Sequence, residues 1–217
     1  MKYRFLLFDM DGMLVDTSEG VFRCAAHALE AFGIHVEDLS ELKPFMGPPL
    51  SYSFQNFYGF SEKDAVEAVR IYRERYTEKG QFECRVFDGV EEMLHALLQK
   101  GYRLCIATSK LESYAVSMLE RLGIKRYFEI VTGANLSETI STKEQVIEES
   151  IKRMGIEDRS LALMIGDRKY DVLGAKQSGL DSFGVYMGCA VTNEHEDAGA
   201  TYVAHGIREL RDALLNF

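Results

Sequence analysis

The 217 residues are 47% hydrophobic and 27% charged, a globular balance with enough apolar material for one generous domain or for a core with a smaller insertion. A formal net charge of −9 excludes a broad electrostatic grip on nucleic acid or an anionic membrane, but not a small anionic substrate held by local positive charge. No apolar stretch approaches the roughly 20 residues that span a bilayer, and Met1-Lys2-Tyr3-Arg4 runs straight into an apolar segment without a cleavage pattern, so it reads as structure and not as a signal peptide. Cys24, Cys84, Cys105 and Cys189 lie far apart with no CxxC pair, which argues against a disulfide framework or zinc site and for a reducing cytoplasm. Cys105, inside an apolar run, reads as a buried inert thiol.

In chain order, the first apolar run is Phe5-Leu6-Leu7-Phe8, short and continuous like a strand covered on both faces, and it stops at Asp9. From about Asp16 to Phe82 the patterns are helical. Thr17 or Ser18 can cap a helix running to Phe32 and stopping at Gly33. Met46-Gly47-Pro48-Pro49 must be a turn, and Ser61-Glu62-Lys63-Asp64 resembles a capping box opening a helix through Tyr76, with Ala65, Val66, Val69 and Tyr72 as its apolar positions. Beyond this stretch, apolar runs at Leu104–Ala107, Phe128–Val131, Leu161–Ile165 and Phe183–Val185 alternate with helical patterns at Val90–Leu98, Tyr114–Leu122 and Val146–Met154. Strands alternating with helices of this length predict βαβ units. The expected architecture is α/β: a doubly wound, Rossmann-like parallel sheet core from residues 1–15 and 83–217, interrupted by an all-helical cap at 16–82.

In open α/β sheets, ligands bind beyond the carboxyl ends of the strands. Here those ends deliver Asp9 and Asp11, then Thr108 and Ser109, then Asp167 with Asp171 following. Neighbouring strands would gather carboxylates that repel one another and resist desolvation. A divalent cation resolves that conflict, and magnesium suits an all-oxygen set. Alternation along the strand puts Asp9 and Asp11 on one side. One carboxylate can then attack a phosphoryl group and the other move the proton of the leaving oxygen. Gly12 permits a tight turn that aims backbone N–H groups at phosphate oxygens. Lys143, near the start of a helix, can bring a cation to the phosphate. Each signal also has a plainer reading: a strand-ending turn, a helix cap at Thr108-Ser109, a solvated lysine.

With Asp9-Met10-Asp11-Gly12, Thr108-Ser109, Lys143 and Gly166-Asp167-Arg168-Lys169-Tyr170-Asp171 in this order, the chain resembles the haloacid dehalogenase superfamily over essentially its whole length. The helical insert resembles the small cap of the phosphoglycolate phosphatase branch. Phe45–Leu50, Ala107–Lys110 and Gly166–Arg168 are similar to a bacterial subgroup described as phosphoglycolate phosphatase-like or 5′-nucleotidase-like. The resemblance implies Asp9 as nucleophile and metal ligand, and Asp11 as general acid/base with its backbone carbonyl on the metal. It implies Gly12, Thr108, Ser109 and Lys143 around the phosphoryl group, Asp167 on Mg2+, and Asp171 supporting the metal directly or through water. Gly47 and Pro48 become a cap loop lowered onto substrate. The implied activity is hydrolysis of a small phosphorylated metabolite through an aspartyl-phosphate, by a cytoplasmic monomer or homodimer with no nucleic acid or membrane partner.

Two departures stand out. Met13 replaces the threonine of many relatives, and Gly188-Cys189-Ala190 lacks the subgroup's aromatic-glycine pattern. Pyrophosphatase, phosphonate hydrolase and phosphomutase chemistry are alternatives on the same fold. The last two need cap groups for which Lys43 and Lys63, ordinary helix lysines, are weak candidates. Dehalogenation has no use for Asp11. A non-catalytic binding module predicts loss of Asp9, Asp11, Lys143 or Asp167, and all four are present.

Overall fold

The computed structural model describes residues 2–46, 48–135, 139–188 and 190–217. The first elements are β1 (Phe5–Phe8), β2 (Val15–Asp16), α1 (Ser18–Glu30), α2 (Leu50–Tyr58), α3 (Glu62–Glu78) and β3 (Arg85–Val86). There follow α4 (Val90–Gln99), β4 (Arg103–Leu111), α5 (Glu112–Arg121), β5 (Ile130–Ala134), α6 (Lys143–Met154) and β6 (Ala162–Gly166). The chain ends with α7 (Lys169–Gln177), β7 (Asp181–Val185), α8 (Glu194–Ala198), β8 (Tyr202–Ala204) and α9 (Ile207–Asn216). Two compact units result: Met1–Asp16 with Val86–Phe217, and Thr17–Arg85. Their boundaries fall one and three residues from those expected.

The first unit is a six-stranded parallel sheet in the order β5-β4-β1-β6-β7-β8. The order turns round at β1, which lies between β4 and β6 and is buried at every residue. Its alternation assigns the two faces. Phe5 and Leu7 pack with Cys105, Ala107, Met164 and the apolar side of α6 (Val146, Ile147, Ile151, Met154). Phe8, on the other face, meets Phe128 edge-on at 6.3 Å. Continuous apolar runs form these strands because helices cover both faces.

Register decides what reaches the sheet's carboxyl edge. Phe8 is level with Ile106 on one side and Ile165 on the other, so Asp9, Ala107 and Gly166 follow level with one another. Thr108 and Asp167 stand one step further on. The Asp9 amide donates to the Ile165 carbonyl at 2.8 Å, carrying the pairing up to the carboxylate.

Several expected bounds shift. β4 runs four residues past Ala107, so Thr108 and Ser109 do not cap α5, whose N-cap is Leu111 without a side-chain bond. The run at Phe128 enters its strand only at Ile130, because residues 125–127 form a 3-10 turn. α7 and the short edge strand β8 have no counterpart among the expected elements.

The second unit is helical through Phe82. Its core joins Phe22, Cys24, Ala25, Ala28 and Leu29 of α1 to Phe54 of α2 and Ala65, Ala68 and Tyr72 of α3. Leu42 and Phe45 of a 3-10 helix at Leu39–Phe45 complete it, with Phe45 edge-on to Phe54 at 5.0 Å. Ser61 caps α3 as expected, accepting from the Asp64 amide at 3.1 Å. Val66, expected on the apolar face, is instead 65% exposed, and Ala68 takes the inward position. Thr17 precedes α1 but makes no side-chain cap bond. Pro49 is the N-cap of α2, after a half-buried Pro48; Gly47 lies outside the described residues.

Candidate active site

Asp9 follows β1 and is buried. Lys143, the first residue of α6, sends its Nζ back to Asp9 Oδ1 at 2.6 Å, and the same ammonium donates to the Ala107 carbonyl at 3.0 Å. Asp171 Oδ1 lies 2.8 Å from it, an ion-pair approach whose angle makes no hydrogen bond. Lys143 is not solvated: its side chain is 8% exposed. Its helix starts with a capping box, in which Thr142 accepts from the Gln145 amide and the Gln145 side chain accepts from the Thr142 amide. Gly174 of α7 gives the lysine stem room, since a Cβ there would stand 2.8 Å from Lys143 Cγ.

Asp167 follows β6, and Asp171 lies in the first turn of α7, where its Oδ2 accepts from the Arg168 amide at 3.1 Å. Asp9, Asp167 and Asp171 each offer an oxygen, all within 4.8 Å of one another, and all three residues are buried. Gly12 takes φ +84°, and a Cβ there would fall 2.3 Å from Asp167 Oδ2. Only glycine fits that turn against that carboxylate. Met13, at the departure from the usual threonine, is fully buried.

Burial pushes the Asp9 carboxyl up to about 6; Lys143 offsets part of that rise, while Asp171 and Asp11 add to it. Burial, helped by Asp9 and Asp171, pushes Asp167 well above the usual carboxylate range. For Lys143, burial works against the charge, but the attraction of Asp171 and Asp9 outweighs it and holds the ammonium above lysine's ordinary value. The Lys143 ammonium thus pairs with two of the three buried carboxylates, Asp9 and Asp171. Asp167 Oδ1 is buried with no hydrogen-bond partner. An all-oxygen set with surplus negative charge and an orphaned oxygen fits a divalent cation, and Mg2+ suits it by hardness. Asp9, Asp167 and Asp171 would hold it, and when bound it would polarise a phosphoryl oxygen.

Asp11 stands apart from this trio. Its two oxygens take Lys110 Nζ at 3.2 and 2.9 Å. Thr108 is buried, its Oγ1 accepting from the Lys110 amide at 3.3 Å, and Ser109 is exposed at the strand's end. Asp9, Lys143, Asp167 and Asp171 are therefore brought together directly. Thr108 and Ser109 share the carboxyl edge of the sheet without a bond to Asp9.

Two contributors have no counterpart among the expected site residues. Lys110 could have been found from strand alternation, being two residues beyond Thr108. Glu194 could not: it is buried in α8 and pairs with Arg168 Nε at 3.1 Å across 26 residues of sequence, while accepting from the Val191 amide at 2.7 Å. The same loop brings Gly188 against Gly12, where a Cβ would meet the Gly12 carbonyl at 2.9 Å. Cys189 lies outside the described residues.

Residues 6–185 match the family described as haloacid dehalogenase-like hydrolase. The chain belongs to that family. A 5′-nucleotidase from Pseudomonas aeruginosa is 38% identical over 214 residues, 99% of this chain and 96% of its own length. The tyrosine-protein kinase PtkA of Mycobacterium tuberculosis is 32% identical over 97% of this chain and 72% of its own. A crystal structure from Clostridium acetobutylicum, described as that of a predicted phosphatase, superposes with a TM-score of 0.89 at 40% identity, covering 100% of both chains. The protein is a phosphatase of the haloacid dehalogenase-like hydrolases, with that family's α/β fold. Among the described residues, no helix is long and apolar enough to cross a membrane.

Proposed function

We propose that this phosphatase hydrolyses a small phosphate monoester with Mg2+, Asp9 attacking phosphorus and Asp11 moving the proton. The observation that carries the reading is the buried group of Asp9, Asp167 and Asp171, with the Lys143 ammonium paired to Asp9 and Asp171. Buried carboxylates of this number are costly without a function that uses their charge. Asp9 Oδ1 is oriented by Lys143, leaving Oδ2 as the attacking oxygen. Attack forms the bond from Asp9 to phosphorus and breaks the ester bond, giving an aspartyl-phosphate and an alcohol protonated by Asp11. Asp11 then takes a proton from the water that cleaves the acyl phosphate and regenerates Asp9. Lys143 offsets charge developing on the phosphoryl oxygens, a role the Gly12 amide does not share as expected, because it donates to the Val15 carbonyl at 2.9 Å.

The substrate is a small phosphorylated metabolite. The relatives' names, a 5′-nucleotidase and a tyrosine-protein kinase, share phosphoryl transfer and differ in the group that carries the phosphate. The helical unit at Thr17–Arg85 is the proposed cap, with Pro48 among its candidate substrate contacts. The test is phosphate release from p-nitrophenyl phosphate with Mg2+, abolished by chelator and restored by added metal. Asp9→Asn is expected to lower turnover at least ~10³-fold, about 4 kcal/mol of barrier. Turnover of that variant at the wild-type rate would reject Asp9 as nucleophile. A screen of phosphoglycolate, nucleoside monophosphates, pyrophosphate and sugar phosphates would identify the ester.

A further inference from the structure

α8 is five residues long and carries Glu194, Glu196 and Asp197, in a chain whose net charge is already −9. Such a segment belongs at the surface, yet Glu194 keeps only 6% of its side chain exposed. Burying a carboxylate is costly unless its charge and lone pairs are met. Glu194 lies outside the trio that fits a metal, so a shared cation does not explain its burial.

Its partners do. Oε1 accepts from the Val191 amide at 2.7 Å and from Arg168 Nε at 3.1 Å, and Oε2 lies 3.4 Å from the same nitrogen. Arg168 stands in sequence between two of the three buried carboxylates. It follows Asp167 directly, its amide donates to Asp171 Oδ2 at 3.1 Å, and its carbonyl accepts from the Asp171 amide at 3.0 Å. The backbone of Arg168 thus sets the turn from Asp167 to Asp171, and its guanidinium ties that turn to Glu194. Asp167 depends on the turn, because its Oδ1 finds no hydrogen-bond partner among the described residues. Its aim comes from the backbone beneath it and from packing against Gly12.

The other end of the tether is fixed as well. The chain enters α8 through Asn193 at φ +62°, the only described residue other than glycine in left-handed backbone. Asparagine tolerates that conformation better than most residues. His195 then fills the hollow left by Gly184, where a Cβ would stand 2.4 Å from the imidazole Cγ, and Tyr186 meets the ring edge-on at 4.6 Å. Gly184 is level with Gly166, the residue before Asp167. α8 is therefore seated beside the strand that delivers Asp167, and Glu194 is anchored to the same sheet as the turn it holds.

We propose that Glu194 is a positioning residue of the metal site: it holds the Asp167–Asp171 turn in the geometry that binds the cation, acts through Arg168, and touches neither metal nor substrate. This rests on the reading of Asp9, Asp167 and Asp171 as ligands of a divalent cation. Residues that orient metal ligands through hydrogen bonds change metal affinity by about 10- to 100-fold when replaced.

The experiment titrates Mg2+ into the purified protein by calorimetry, without substrate, for wild type, Glu194→Ala, Glu194→Gln, Arg168→Met and the double variant Glu194→Ala with Arg168→Met. Glu194→Ala is expected to weaken Mg2+ binding about 10-fold or more. Glutamine keeps a carbonyl oxygen that can accept from both the Val191 amide and Arg168 Nε, so Glu194→Gln should stay within about threefold of wild type. Arg168→Met should match Glu194→Ala. The double variant should lie within about threefold of either single one, because both changes cut the same tether. In p-nitrophenyl phosphate turnover the Mg2+ midpoint of Glu194→Ala should shift by the same factor, with most of kcat recovered at saturating metal. A change that merely loosened the fold would lower turnover at every Mg2+ concentration and leave the midpoint alone. Wild-type affinity in Glu194→Ala, a Glu194→Gln as weak as the alanine variant, or effects that multiply in the double variant would overturn the positioning role and leave the phosphatase reading intact. Should Glu194→Ala not fold, Arg168→Met decides alone, and wild-type Mg2+ affinity there overturns the proposal. A wild type that binds no Mg2+ and releases no phosphate from p-nitrophenyl phosphate would overturn the metal reading, and the proposal with it.

Discussion

Gly12 shows how narrowly one residue is constrained in this site. Its φ of +84° disfavours any side chain, and the space where a Cβ would go belongs to Asp167 Oδ2 at 2.3 Å. Gly12→Ala must therefore displace the turn that follows the nucleophile, the Asp167 carboxylate, or both. Backbone strain of this kind costs of the order of 1–3 kcal/mol. Turnover with p-nitrophenyl phosphate is expected to fall at least ~100-fold, with a raised Mg2+ requirement. Steady-state rates across a Mg2+ titration would show it, and wild-type values for both constants would mean that the turn relaxes freely.

Among the elements, α6 carries a conflict between local and tertiary preference. A lysine in its first turn opposes the helix dipole, by a few tenths of a kcal/mol. The capping box at Thr142 and Gln145 offsets this by satisfying backbone donors at the same turn. Thr142→Ala is expected to cost ~1 kcal/mol, lowering the melting temperature by about 2–4 °C in a protein of this size. Thermal denaturation of the metal-free protein is the check; an unchanged transition would place the stability of that turn in the Lys143 ion pairs instead. β4 makes the complementary point. Hydroxyls after an apolar run ordinarily cap the next helix, but pairing with β5 keeps Thr108 and Ser109 in a strand that extends to Leu111 and delivers Lys110 to Asp11.

For the whole molecule, the buried carboxylates couple stability to pH and metal. The folded state raises Asp9 to about 6 and Asp167 well above the usual range, so it binds protons more tightly than the unfolded chain does. The stability this contributes is fully present below the ordinary carboxylate pKa, near 4, and is lost as pH rises through the folded values. For Asp9 the displacement corresponds to roughly 3 kcal/mol at most. In chelator, Asp167→Asn should therefore melt above wild type at pH 7.5, by several degrees, and the gap should shrink toward pH 5. Added Mg2+ should raise wild type at pH 7.5 and close the gap from the other side. Melting curves at both pH values, with and without metal, decide it. A variant less stable than wild type at pH 7.5 in chelator would contradict a strained carboxylate group.

What the amino-acid order determined on its own was every feature with a local cause. The apolar run Phe5–Phe8 ending on a carboxylate marked a strand buried on both faces and a residue left at its tip. Gly155 ended α6 through its left-handed backbone, and Ser61 opened α3 through its hydroxyl. The carboxylates Asp9, Asp11, Asp167 and Asp171, and Lys143, could be named because their residue types at strand ends and a helix start have a chemistry that the sequence order exposes. Tertiary structure decided what depends on partners distant in sequence. Register alone sets Asp9 level with Ala107 and Gly166, and so places Asp167 beside Gly12. The fold turned Lys143 from a surface lysine into a buried one, and separated the trio from the Lys110–Asp11 pair. It also paired Arg168 with Glu194, a contact with no local periodicity to announce it. Local propensity acts over a few residues, whereas a site made of charges exists only once distant strand ends share one edge and lose their water together.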